Sequence, residues 1–185
     1  MKKIMFNDKY GLTDAVLEGR KTMTRRIVPQ SVVDNYMYDT DPTIIDAARF
    51  EIGEVVAIAQ SYKSIFEKSL NYALPRYHWL DDHIDEKGFA NKMFVKAGEM
   101  PHHIKITDIK VERLQDISYE DCLKEGIGVW ESPYYCLPCY IFPSNAKHYY
   151  NTPCEAFAAL INRVSGKGTW KKNPWVFVYE FDLID

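Results

Sequence analysis

The chain has 185 residues, a formal net charge of -3, 46% hydrophobic and 14% aromatic residues, and that much apolar surface excludes a disordered chain. The length predicts one domain, residues 1–185, with a sizeable core, and the near-neutral charge excludes a globally basic nucleic-acid binder, so any such contact must be local. No apolar run approaches a membrane span, and Met1-Lys2-Lys3 is not followed by a signal peptide's apolar core, so a cytoplasmic protein without membrane contact is expected.

Ile4, Met5 and Phe6 predict a short first strand. Leu12, Ala15 and Val16 then recur at helical spacing from Thr13, a candidate N-cap, until Gly19 ends the turn. The next residues, Gly19-Arg20-Lys21-Thr22-Met23-Thr24-Arg25-Arg26, place an amine and a hydroxyl three positions apart among arginines. In a straight strand Lys21 and Thr24 point to opposite faces, because side chains alternate, so a turn or bulge must precede any joint chemistry. Residues 29–52, with Pro29, Asp39, Asp41 and Pro42, read as an irregular excursion before the β-branched, apolar run Val55 to Ala59, a candidate buried strand.

From about 62 to 92 the chain fills with Tyr, His, Asp and Lys, and an inserted segment or lid is expected there. Met93 to Val95 predicts another strand. Ile104, Ile106, Ile109 and Val111 predict a longer one whose alternation slips at Thr107-Asp108, the mark of a β-bulge. Ser118 and Asp121 form a capping-box pair opening a helix that Gly126 closes, which makes Glu125 its last residue. Thr152-Pro153-Cys154-Glu155 opens a second helix that runs to Gly166, and Trp175 to Phe181, entered from Pro174, is a strongly β-forming run.

A lysine and a threonine in a positive field serve either as base and nucleophile or as a clamp for a phosphate or nucleobase. A threonine hydroxyl needs a neighbour to take its proton, and Lys21 is that neighbour only if burial and the adjacent cations lower its pKa. A second basic stretch, Arg163, Lys167, Lys171 and Lys172, reads by itself as a solvated face. The four cysteines, Cys122, Cys136, Cys139 and Cys154, are expected to be reduced thiols. Cys136-Leu137-Pro138-Cys139 offers one tight pair where zinc modules show two, so no metal site is expected.

Gly19-x-Lys21-x-x-Thr24-x-Arg26, Val111 to Ser118 followed by Glu125-Gly126-Ile127, and Asn173-Pro174-Trp175-Val176-x-Val178-x-Glu180-Phe181 together resemble the ASCH domain group of the PUA-like superfamily, in particular its longer phage- and prophage-encoded members. The resemblance implies an α+β fold, a mixed β-barrel with flanking helices whose signature loop lines a cleft, and an RNA- or nucleotide-interacting protein. Some small bacterial members are amidohydrolases that deacetylate N4-acetylcytidine, in which the matching lysine, threonine and glutamate act as proton acceptor, nucleophile and proton donor. Here those positions are Lys21, Thr24 and Glu125. A carboxylate at a helix C-terminus is disfavoured by the macrodipole, which suits a donor; an ion pair between Lys21 and Glu125 would instead favour both charges.

Arg20, Arg25, Arg26, Gln60 and His102 are the expected substrate-binding residues, with Arg26 or backbone N–H groups facing an oxyanion. Many longer relatives carry an aromatic-x-Arg-Glu run where this chain has Ala57-Ile58-Ala59-Gln60, so Gln60 offers only an amide. The resemblance implies a modified nucleoside, nucleotide or RNA as partner; no cofactor, no metal and no obligate protein partner is expected. A binding module without turnover and a ribonuclease are the alternatives.

Overall fold

Residues 1–36, 42–71, 82–131, 138–142 and 148–185 are described by a computed structural model. They divide into two compact units: Met1–Phe6, Val55–Ile104 and Ile184–Asp185 in the first, and Asn7–Glu54 and Lys105–Leu183 in the second.

In the first unit, β1 (Lys3–Ile4) pairs in parallel with β3 (Val55–Ile58), Lys3 opposite Ala57 and Ile4 opposite Ile58. The Ile58 N–H donates to the His102 carbonyl (2.9 Å), joining β3 to the start of the next long strand. The expected excursion after residue 62 begins as a helix, α3 (Tyr62–Asn71), since Tyr62 and Ile65 recur on one face and are buried. Ala57, Ala59, Tyr62, Ile65, Val95 and Met100 form the core of this unit. The strand expected at Met93 to Val95 is instead a 3-10 turn, Lys92–Phe94, capped by the Asn91 side chain, which accepts from the Met93 N–H. With Met93 and Phe94 exposed and only Val95 buried, that run lacks the two-sided burial a strand needs. Tyr77, His78 and Trp79, within the expected lid, lie outside the described residues.

The second unit holds α1 (Leu12–Leu17), β2 (Met23–Ile27), α2 (Gln30–Tyr36), most of β4 (His103–Arg113), α4 (Tyr119–Lys124), β5 (Gly128–Trp130), β6 (Cys139–Ile141), α5 (Pro153–Val164), α6 (Thr169–Lys172) and β7 (Trp175–Leu183). β7 lies between β4 and β2. It pairs antiparallel with β2, Thr24 opposite Tyr179 and Arg26 opposite Phe177. Val176 to Tyr179 and Phe181 are buried, so β7 is covered on both faces, as its unbroken apolar run requires. β4 is buried at Ile104 and Ile106 and next at Ile109; Thr107 and Asp108 are both exposed, so the buried phase shifts at the place where the alternation slips. Among the described residues the strands form no closed barrel: β1 and β2 each have a strand neighbour on one side only. The chain is mixed α+β with both parallel and antiparallel pairing. No helix among the described residues is long and apolar enough to cross a membrane.

Candidate functional site

The second unit brings Lys21 to Glu125 by ending two helices in the same way. α1 stops at Gly19, whose φ of 71° is in the left-handed region that favours glycine. The Gly19 N–H donates to the Val16 carbonyl and the Arg20 N–H to that of Ala15, the paired bonds of a Schellman motif. Ala15 also accepts from the Lys21 N–H (2.9 Å), so the chain turns back under α1 before β2 begins. α4 starts at Ser118, whose hydroxyl accepts from the Asp121 N–H. It ends with Glu125 as C-cap and Gly126 at φ 95°. The Gly126 and Ile127 N–H groups donate to Leu123 and Cys122, a second Schellman motif. The Thr22 N–H then donates to the Lys124 carbonyl (2.9 Å), which joins the two turns.

Lys21 is 2% exposed and Glu125 5% exposed. The Lys21 ammonium donates to Glu125 Oε2 at 2.5 Å, to the Met23 carbonyl at 2.6 Å and to the Glu125 carbonyl at 2.9 Å. Burial lowers the Lys21 pKa below the ordinary lysine value; the Glu125 charge opposes this without overcoming it, and Arg26 and Arg25 add to the lowering. Perturbed ionisable groups cluster at functional sites, and structural ion-pair networks perturb them as well.

Arg25 is buried in a cluster of carboxylates. Its side chain is 1% exposed, with Nη2 2.6 Å from Glu112 Oε1 and 2.9 Å from Asp121 Oδ2, and Nη1 3.2 Å from Glu125 Oε1. Arg25, expected as a substrate-binding residue, is an ion-pair hub here, because three carboxylates take up its donors. Burial works against ionisation of Asp121, yet the Arg25 hydrogen bond and the Lys110 charge outweigh it and hold that carboxyl below the usual range. Lys110 lies 3.2 Å from Glu112 and 3.3 Å from Asp121. Local sequence does not single out Glu112 or Asp121 as partners of Arg25. Asp121 stands four residues before Glu125, a spacing that puts both on one side of a helical turn, and that was the available signal.

Thr24 is buried, and its hydroxyl makes no hydrogen bond to the described residues. Alternation along β2 puts Thr24 and Arg26 on one face and Met23 and Arg25 on the other. Lys21 and Glu125 are thus brought together, and the Thr24 hydroxyl is not bonded to either of them. Arg26 is exposed. Arg20 is exposed and paired with Glu18.

The two remaining candidates belong to the first unit. Gln60 is 3% exposed, its N–H donates to Met100 Sδ, and its Nε2 has no hydrogen-bond partner among the described residues. His102 Nδ1 lies 3.2 Å from the Asp185 backbone oxygen. Among the described residues no group of three or more His, Cys, Asp or Glu side chains is placed to hold a metal ion, and Cys136 lies outside them.

No family model matches this chain, and neither a curated protein nor a solved structure matches it.

Proposed function

We propose that this chain is an ASCH-type, PUA-like protein that binds a cytosine nucleoside, nucleotide or RNA and hydrolyses an amide on an N4-acylated cytosine. The observation that carries the reading is the buried 2.5 Å contact between Lys21 Nζ and Glu125 Oε2. One proton transfer along that contact converts an ammonium and a carboxylate into a neutral amine and a carboxylic acid, which are the base and the acid that amide hydrolysis needs. Burial disfavours the Lys21 ammonium, which makes its proton easier to give up.

In the proposed sequence Lys21 takes the proton of Thr24 Oγ as that oxygen attacks the acyl carbon. Glu125 protonates the departing cytosine nitrogen as the C–N bond breaks, and water then hydrolyses the threonine ester to release the acid. The unbonded Thr24 hydroxyl must turn toward Lys21 once substrate is bound, and hydrogen bonds of this kind commonly tighten only in the substrate complex. Exposed Arg26, two residues after Thr24 on the same face of β2, is the cation proposed to face the developing oxyanion.

The unbonded hydroxyl also favours a second reading, a binding module in which the Lys21–Glu125 pair is purely structural. Incubation with N4-acetylcytidine followed by chromatography separates the two. The enzyme reading predicts cytidine release that Lys21→Ala, Thr24→Val and Glu125→Gln each abolish while binding persists. Release no greater than from Lys21→Ala removes this substrate, and affinity lost chiefly on Arg26→Ala supports the module.

A further inference from the structure

We infer that Cys122 and Cys154 form a peroxide-sensitive dithiol that, on oxidation, links α4 to α5 and restrains the helix carrying Asp121 and Glu125. Cys122 lies inside α4 and is fully buried, whereas Cys154 lies in the first turn of α5 and is half-buried. The two sulfurs are 3.5 Å apart, with the Cys122 thiol donating to Cys154 Sγ, and both residues are free thiols. An S–S bond is about 2.05 Å long, so the sulfurs need to close by about 1.5 Å.

The surroundings divide the roles between the two thiols. Burial, followed by the Cys154 contact, pushes the Cys122 thiol well up from its ordinary value, so Cys122 keeps its proton and donates it. Cys154 is the more accessible residue and accepts that hydrogen bond, which makes it the site of first attack. Its thiol gives up its proton to solvent as the sulfur attacks one oxygen of hydrogen peroxide; the O–O bond breaks, and the departing hydroxide takes a proton from solvent and leaves as water. Cys154 is then a sulfenic acid, oxidised by two electrons, and the peroxide is reduced. The Cys122 sulfur next attacks the Cys154 sulfur, the S–O bond breaks, and the hydroxyl departs as water with the Cys122 proton. A thiol reductant returns both residues to the starting state by exchange.

The consequence reaches the candidate site because α4 is short. Cys122 follows Asp121, an ion-pair partner of Arg25, and its carbonyl accepts from the Ile127 N–H in the turn that presents Glu125 to Lys21. Closing the sulfurs draws this turn toward α5, whatever reaction the site performs.

Peptide mapping by mass spectrometry of the full-length protein, treated with a small excess of hydrogen peroxide and then alkylated, tests the inference. The expected result is loss of alkylation at Cys122 and Cys154 together, a linked peptide pair containing both, and restoration of both thiols by dithiothreitol. Cys154→Ser removes the linked pair without altering the core position. Both thiols remaining free, sulfinic acid on Cys154 alone, or a link to Cys136 or Cys139 overturns the inference. Hydrogen exchange reads the restraint independently of any activity: the amides of 123–127 exchange more slowly in the oxidised protein and recover on reduction. Unchanged exchange there overturns the coupling to α4.

Discussion

Replacing Glu125 by Gln removes a charge while keeping the side chain's shape. In the native chain the Lys21 ammonium is buried with one carboxylate oxygen at 2.5 Å, and Arg25 holds the other oxygen at 3.2 Å. Removing one partner of a buried pair typically costs about 3–5 kcal/mol, because the remaining charge is left uncompensated. Arg25 keeps Glu112 and Asp121 in the variant, so the uncompensated charge is that of Lys21. The loss should therefore depend on pH. The folded-state Lys21 pKa is already below the unfolded value, so the unfolded chain binds more protons and stability rises with pH through the window beneath about 10.5. Without the Glu125 charge that window extends to lower pH, and a neutral amine no longer needs the carboxylate. Urea denaturation of both proteins should give a destabilisation of about 3–5 kcal/mol at neutral pH that shrinks as the pH approaches 10. A loss below about 1 kcal/mol, or one that does not change with pH, refutes the claim that Lys21 is a buried cation dependent on Glu125.

Arg25→Leu leaves Glu112, Asp121 and Glu125 without their shared cation and should cost about 3–5 kcal/mol in the same denaturation assay, against less than about 0.5 kcal/mol for exposed Arg20→Ala. Because Asp121 is held below its unfolded pKa, its contribution is complete above about pH 4 and is lost as the pH falls through the folded value, so Arg25→Leu should flatten the acid limb of stability against pH. Gly126→Ala places a methyl group at left-handed φ and 3.4 Å from Lys21 Cβ, and a loss of roughly 1–2 kcal/mol is expected by thermal melting.

The parts of this fold that local chemistry dictates were legible in the sequence. Ser118 and Thr152 cap the helices they were expected to cap, since a hydroxyl followed three residues later by an acid has few other stable uses at a helix start. Gly19 and Gly126 stop helices where they were expected to, because each must take a left-handed φ. The start of α1 was not legible: Thr13 lies inside the helix and donates to Asp8, while Gly11 occupies the cap. Nor was α2, because Gln30–Tyr36 lies within a stretch bounded by Pro29 and Pro42, with no capping residue directly before Gln30.

At the candidate site, the meeting of Lys21 with Glu125 joins positions 104 apart in sequence, and no local signal carries that distance. The motif resemblance placed the two in common roles, while the turn chemistry said only that each follows a helix end. The fate of Arg25 depended on which face of β2 meets α4, a tertiary fact that alternation alone leaves open.

The protonation of Lys21 tests the account most directly. Nuclear magnetic resonance titration of the lysine side-chain carbons, with the Lys21 resonance assigned from Lys21→Met, should give a midpoint below the ordinary lysine value in the native protein, and one lower still in Glu125→Gln. A Lys21 midpoint at or above that of the exposed lysines, unmoved by loss of the Glu125 charge, contradicts the account.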